Sequence, residues 1–94
     1  MSFFAVTYTY VDSPQLAEVR PAHREYLRTL VDAGTLRASG PLVDIAPGGA
    51  LLIFEAPDAD GVARALADDP FQLEGLVEQT TVIEWDPVIG IFAS

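Results

Sequence analysis

Cysteine is absent from the chain, which excludes disulfides and thiolate metal sites. A single histidine, His23, excludes a multi-histidine metal centre within one chain, so no metal site is expected. The longest apolar stretch falls far short of a membrane span. The N-terminal Met-Ser-Phe-Phe lacks a basic region followed by an apolar one, so no secretion signal is visible and the cytoplasm is the default location. Positive charge is scarce. Five basic residues face 14 acidic ones, the net charge is −9, and all five are arginines: Arg20, Arg24, Arg28, Arg37 and Arg64. So acidic a surface repels phosphate backbones, which argues against a nucleic-acid partner. Gly48-Gly49 lacks P-loop or dinucleotide spacing, and no nucleophile elbow, HExxH or EF-hand loop occurs. No cofactor is therefore expected.

What is present is apolar. The chain has 94 residues, read as one domain over 1–94, and 50% of them are hydrophobic. Mean hydropathy is +0.28. A chain this short buries only about 60–65% of its unfolded surface. Half of the chain being hydrophobic is more apolar material than two thin layers hide, so either the interior is unusually dry or a second apolar face is covered by a partner.

Residues 3–11 (FFAVTYTYV) read as a strand whose two faces are both apolar or aromatic. Asp12-Ser13-Pro14 breaks it. A helical region then runs to Gly34, a suitable C′ residue. Pro21 lies inside this region. A short turn followed by a main helix with Pro21 in its first turn is preferred over one kinked helix from Pro14. His23, Tyr26, Leu27, Leu30 and Val31 form one apolar stripe, with Arg24 and Arg28 off it. Residues 35–43 read as an edge-type strand interrupted by Gly40-Pro41, and Pro47-Gly48-Gly49 as a turn. ALLIFEA (50–56) is the clearest strand, apolar on both faces. Asp58 caps a helix reaching Asp68, with Ala59, Val62, Ala63 and Leu66 as its buried stripe. Asp69-Pro70-Phe71 ends it. Residues 76–85 form a fourth strand, with Ile89–Phe92 a candidate extension.

The order β-α-β-β-α-β is the ferredoxin-like α+β pattern, a four-stranded antiparallel sheet with two helices on one face. The other face would be bare, and strands apolar on both sides call for a homodimer packed sheet to sheet.

The one group with an ordinary pKa near neutrality is His23, at the head of the apolar stripe and so directed inward. It is read as a general acid/base or, more plainly, as a core histidine bonded to a carbonyl. Asp69, held extended by Pro70, is its candidate partner, because a carboxylate on one ring nitrogen fixes the tautomer. Otherwise Asp69 is a turn acid. His23 stands 11 residues before Gly34 (34 − 23) and Asp69 stands 11 after Asp58 (69 − 58), so their meeting depends on the geometry at Pro21. Arg20 is read as an anion-holding group or as a surface arginine paired with Glu18 or Asp69. Recurrence every four residues makes Arg20, Arg24 and Arg28 a solvated helix edge. Tyr8 or Tyr10 and Phe71 are the expected pocket walls.

The segments RPAHREYL (20–27), ASGPLVD (38–44), GGALLIFEA (48–56) and DDPFQLEGL (68–76), in this order, resemble the YCII (YciI-like) family over about residues 3–87. The resemblance implies a ferredoxin-like dimeric α/β barrel with a histidine–aspartate dyad, here His23 and Asp69. Arg20, Gly40, Pro41, Pro70, Phe71 and Gly75 match positions that shape the family's pocket region. The longer glycine-containing insertion of some members before the third strand is absent. Some members resemble cofactor-free enzymes acting on products of aromatic-ring breakdown, including a dehydrochlorinase.

These readings converge on a cofactor-free lyase or isomerase working on a small cyclic or aromatic acid. His23 and Asp69 would be the catalytic pair, and Arg20, Tyr8 and Phe71 would bind substrate. The alternative is a non-catalytic small-molecule-binding or dimerisation module in which the pair is structural.

Overall fold

Alternation sets the sheet. In the computed structural model, which describes residues 1–93, strand β1 (Ser2–Tyr10) turns Phe4, Val6, Tyr8 and Tyr10 to one side, where all four are buried. Strand β3 (Gly49–Ala56) runs antiparallel beside it, and Phe54, Leu52 and Ala50 stand opposite Phe4, Val6 and Tyr8. Removing side chains of the size of Val6, Leu52 and Phe54 from water contributes about 1.5–3 kcal/mol each. Strand β2 (Leu36–Pro41) and strand β4 (Val77–Trp85) complete an antiparallel sheet of order β2-β3-β1-β4, with β2 and β4 at its edges. A carbon side chain at Gly49 would run into the Tyr8 carbonyl, so glycine allows β3 to begin hard against β1.

Helices α1 (Gln15–Asp32), α2 (Ala59–Ala67) and the single-turn α3 (Pro70–Leu73) cover the face that holds this core. The architecture is the ferredoxin-like α+β fold. Helix α1 ends in a Schellman arrangement: Thr35 N–H donates to Leu30 C=O, Gly34 N–H donates to Val31 C=O, and Gly34 sits at φ +81°. Asp58 caps α2 by accepting from the Gly61 N–H at 2.8 Å. Tyr26 Oη donates to the Ala65 carbonyl at 2.6 Å and ties α1 to α2.

Several expectations are corrected. Helix α1 is one continuous element from Gln15, with Pro21 well beyond its first turn. The proline leaves the Ala17 carbonyl without its helical donor, and both residues lie on the exposed side of the helix, where that loss costs least. Residues 69–71 end α2 but also start α3, because Asp69 caps the turn and Pro70 needs no N–H in its first position. Ala59 and Ala63 are exposed; α2 is rolled toward Tyr26, so Val62, Ala65 and Leu66 form its inner stripe. Residues 89–92 form no strand. The β4 ladder stops at Trp85 opposite Phe3, where β1 itself runs out. Instead Phe92 folds against Phe3 and Trp85, and Arg37 lies over the Phe3 and Phe92 rings.

The sheet's second face carries Phe3, Ala5 and Thr7 of β1, Leu51 and Ile53 of β3, and Ile83 and Trp85 of β4, as the register requires. Leu51 is 39% exposed, Trp85 38% and Ile83 64%. No described helix is long and apolar enough to cross a membrane.

Candidate active site

Asp69 lies at the junction of α2 and α3 and is wholly buried, which for a carboxylate demands compensating donors. It has three. Oδ1 accepts from His23 Nδ1–H at 2.8 Å and from the Phe71 main-chain N–H at 3.0 Å, while Oδ2 accepts from Tyr8 Oη–H at 2.8 Å. An ionised carboxylate only accepts, so His23 carries its proton on Nδ1 and, when neutral, its lone pair on Nε2. The Phe71 ring stacks on the imidazole, centroids 4.0 Å apart and planes 11° from parallel. The carboxylate fixes the imidazole's rotation, and the phenyl ring fixes its plane.

His23 is 6% exposed. Nε2 has no protein partner and is not sealed from solvent, and His23 belongs to the wall of a cleft of about 390 Å³. The volume falls within the range usual for small-ligand sites. Leu27, Leu36 and Ala50 supply apolar wall, Tyr10 and Phe71 supply aromatic wall, and Ser39, Gly40 and Pro41 of β2 close one side.

The placement of the expected residues is mixed. His23, Arg20 and Phe71 line the cleft, and Asp69 stands behind His23. Tyr8, expected at the wall, also stands behind the dyad, where its hydroxyl is committed to Asp69; Tyr10 occupies the wall instead. Burial above all, then the Asp69 charge and hydrogen bond, raise the Tyr8 pKa far beyond the ordinary phenol range. Burial also raises the Tyr10 pKa, reinforced by Asp69 and opposed by Arg20 and Arg24. Both hydroxyls keep their protons at neutral pH. Arg20 pairs with neither Glu18 nor Asp69, and Arg24 and Arg28, read as a solvated edge, line the cleft as well. The signal for Arg24 was available: Arg20 and Arg24 stand four residues apart with no acidic residue three or four positions from either, whereas Arg28 has Glu25 and Asp32 at those spacings.

A family model described as the YCII-related domain matches residues 1–86. No curated protein matches the chain significantly. Among solved structures the chain is similar to 5-chloro-2-hydroxyhydroquinone dehydrochlorinase from Burkholderia phenoliruptrix AC1100, in complex with 2,5-dihydroxybenzoquinone. Identity is 26%, coverage is 89% of this chain and 93% of that one, and the TM-score is 0.74. An antibiotic biosynthesis monooxygenase is 23% identical over 95% of this chain and 100% of its own, with a TM-score of 0.59. An uncharacterised NIPSNAP domain protein from Burkholderia xenovorans is 14% identical over 100% and 99%, with a TM-score of 0.61. The last two similarities concern the fold alone.

Proposed function

The chain belongs to the YCII-related domain family, and within it we propose an enzyme that removes or relocates a proton on a small cyclic or aromatic acid, a lyase or isomerase with His23 as general acid/base. One observation carries this reading: Asp69 holds Nδ1 at 2.8 Å while Nε2 is left without a protein partner on a histidine that lines an aromatic-walled cleft. A merely structural histidine has no need of a free nitrogen beside a cavity. In the proposed step Nε2 takes a proton from a ring carbon beside a carbonyl or carboxylate. The electron pair left behind either expels a leaving group on the adjacent carbon or shifts a double bond. In the second case the imidazolium returns the proton elsewhere on the ring. Asp69 stabilises the imidazolium, and Tyr10 donates to the oxygen on which negative charge develops. General base catalysis of this kind is worth about 10²–10⁴-fold. The similarity to a dehydrochlorinase with a quinoid ring in its complex supports the substrate class.

The test is an NMR and thermal-shift screen of small aromatic acids, phenols and unsaturated lactones against wild type and His23→Ala. Compounds that perturb His23, lose their effect in the Ala variant and turn over in wild type alone are the expected result. Binding with no turnover of any hit would favour the non-catalytic module. Polar metabolites binding at His23 in place of ring acids would overturn the substrate class.

We further propose that a second copy of the chain covers the open sheet face. Leu51 on β3 and Ile83 and Trp85 on β4, on either side of β1, leave an apolar surface there, and a two-fold pair is the commonest way for a chain to cover such a face with a copy of itself.

A further inference from the structure

Three arginines line the cleft with His23: Arg20, Arg24 and Arg28. They are three of only five basic residues in a chain with 14 acidic ones. In so acidic a protein they would be expected to hold carboxylates, yet none of them does. Among the described residues the ion pairs are His23–Asp69 and Arg37–Glu55. Glu18, Glu25 and Asp32 stand on the same helix, and Glu25 borders the groove on the outer side of the arginine row, without pairing. Like charges four residues apart on a helix repel each other, and although Arg28 has Glu25 and Asp32 three and four positions away, Arg20 and Arg24 have no acidic residue at such a spacing, so an anion arriving at the row relieves their repulsion.

The spacing says what that something is. At a rise of about 1.5 Å per residue, the row spans about 12 Å along the helix, with His23 between its ends. A ring with one acidic group can engage one end and leaves the other unused. Two acidic groups across a single ring lie about as far apart as Arg20 and Arg24, about 6 Å along the axis. Arg20 and Arg24 line the same cleft as Tyr10 and His23, so an anion held at them lies beside both.

We propose that the cleft takes a compact ring acid with two anionic groups, one held at Arg20 and the other at Arg24 and Arg28, with the ring between them against His23 and Tyr10. This deepens, and rests on, the reading of the cleft as a small-acid site. The overall negative charge repels anions in general, and the arginine row makes this one entrance attractive to them.

The experiment compares benzoate, benzene-1,3-dicarboxylate, benzene-1,4-dicarboxylate and the neutral 1,3-diamide by calorimetry and by the His23 ring signals. The proteins are wild type, Arg20→Gln and the double variant Arg24→Gln/Arg28→Gln. Arg24 and Arg28 are exposed and Arg20 is half-buried, so the fold tolerates these changes. In wild type at low salt a dicarboxylate should bind at least about tenfold more tightly than benzoate, with the advantage shrinking as salt rises. Both the double variant and Arg20→Gln should lose most of that advantage, because each leaves one of the two anionic groups without its arginine. If benzoate perturbs His23 but neither dicarboxylate binds more tightly, or if the preference survives in the double variant, the two-anion inference is wrong and the small-acid cleft stands. If the diamide matches its dicarboxylate, charge plays no part and the inference is again wrong. If no ring acid of either kind perturbs His23, the small-acid reading fails and this inference falls with it.

Discussion

Asp69 holds His23 with the same carboxylate oxygen that caps α3: Oδ1 accepts from His23 Nδ1 at 2.8 Å and from the Phe71 main chain at 3.0 Å. The imidazole is thereby referenced to a turn of backbone 46 residues away in sequence. Phe71, next in that turn, closes over the ring. A change at Asp69 therefore disturbs the imidazole and the α3 turn together.

Asp69→Ala removes the acceptor from three donors at once and should destabilise the fold by about 3–5 kcal/mol, read from urea unfolding. Asp69→Asn preserves the shape and one acceptor oxygen. It should cost less, about 1–2 kcal/mol, yet reduce turnover of any substrate found by about 10²–10⁴-fold, because the charge supporting the imidazolium is gone. Equal stability of the Ala variant and wild type would mean that the bonds contribute nothing.

The tautomer is open to direct inspection. His23 is the chain's one histidine, so its ¹⁵N ring signals are unambiguous. In the neutral form Nδ1 should show the protonated shift and Nε2 the bare one, and a bound ring acid should move Nε2 more than Nδ1. A proton on Nε2 in the free protein contradicts the geometry.

Alkali should destabilise the protein through its tyrosines. Tyr8, Tyr10 and Tyr26 all have pKa values raised, in each case by burial first and then by acidic neighbours. The unfolded chain loses these protons near pH 10, while the native state keeps them. Above about pH 10 the native state therefore binds more protons, and stability falls as pH rises. Tyrosinate absorbance should lag behind that of free tyrosine, with the Tyr8 step coinciding with loss of the folded circular dichroism signal. Tyr8→Phe should cost about 1.5–3 kcal/mol at neutral pH, yet flatten the alkaline decline. Tyr8 ionising near pH 10 in a folded protein would contradict this.

The two faces of β3 separate assembly from folding. Leu51 lies on the open face at 39% exposure, and Leu52 is fully buried under the helices. Leu51→Asp should reduce the sedimenting mass from about two chains to one at micromolar concentration and leave helical content intact. Leu52→Asp places an unpaired charge in the core and should unfold the chain. Wild-type protein that sediments as one chain at the same concentration would remove the proposed interface.

Much of this protein was legible in its sequence because the deciding physics is local. Alternation of Phe4, Val6, Tyr8 and Tyr10 on β1, the Asp58 cap and Gly34 at the end of α1 specify their elements with few distant contacts. His23 and Asp69 stood out as a lone titratable side chain on an apolar stripe and an acid held extended by proline. Depth and rotation were decided by tertiary packing. Tyr8 and Tyr10 share one face of β1, and only the seating of α1 and α3 against that strand puts Tyr8 behind the carboxylate and Tyr10 in the cleft. Pro21 remains within one helix because it and Ala17, whose carbonyl loses its donor, lie on the exposed side, which propensity does not reveal. Arg24 and Arg28 lie off the buried stripe on any helical wheel. They line a cleft because β2 stands across from them, and a wall made by another strand has no signature in the helix that faces it.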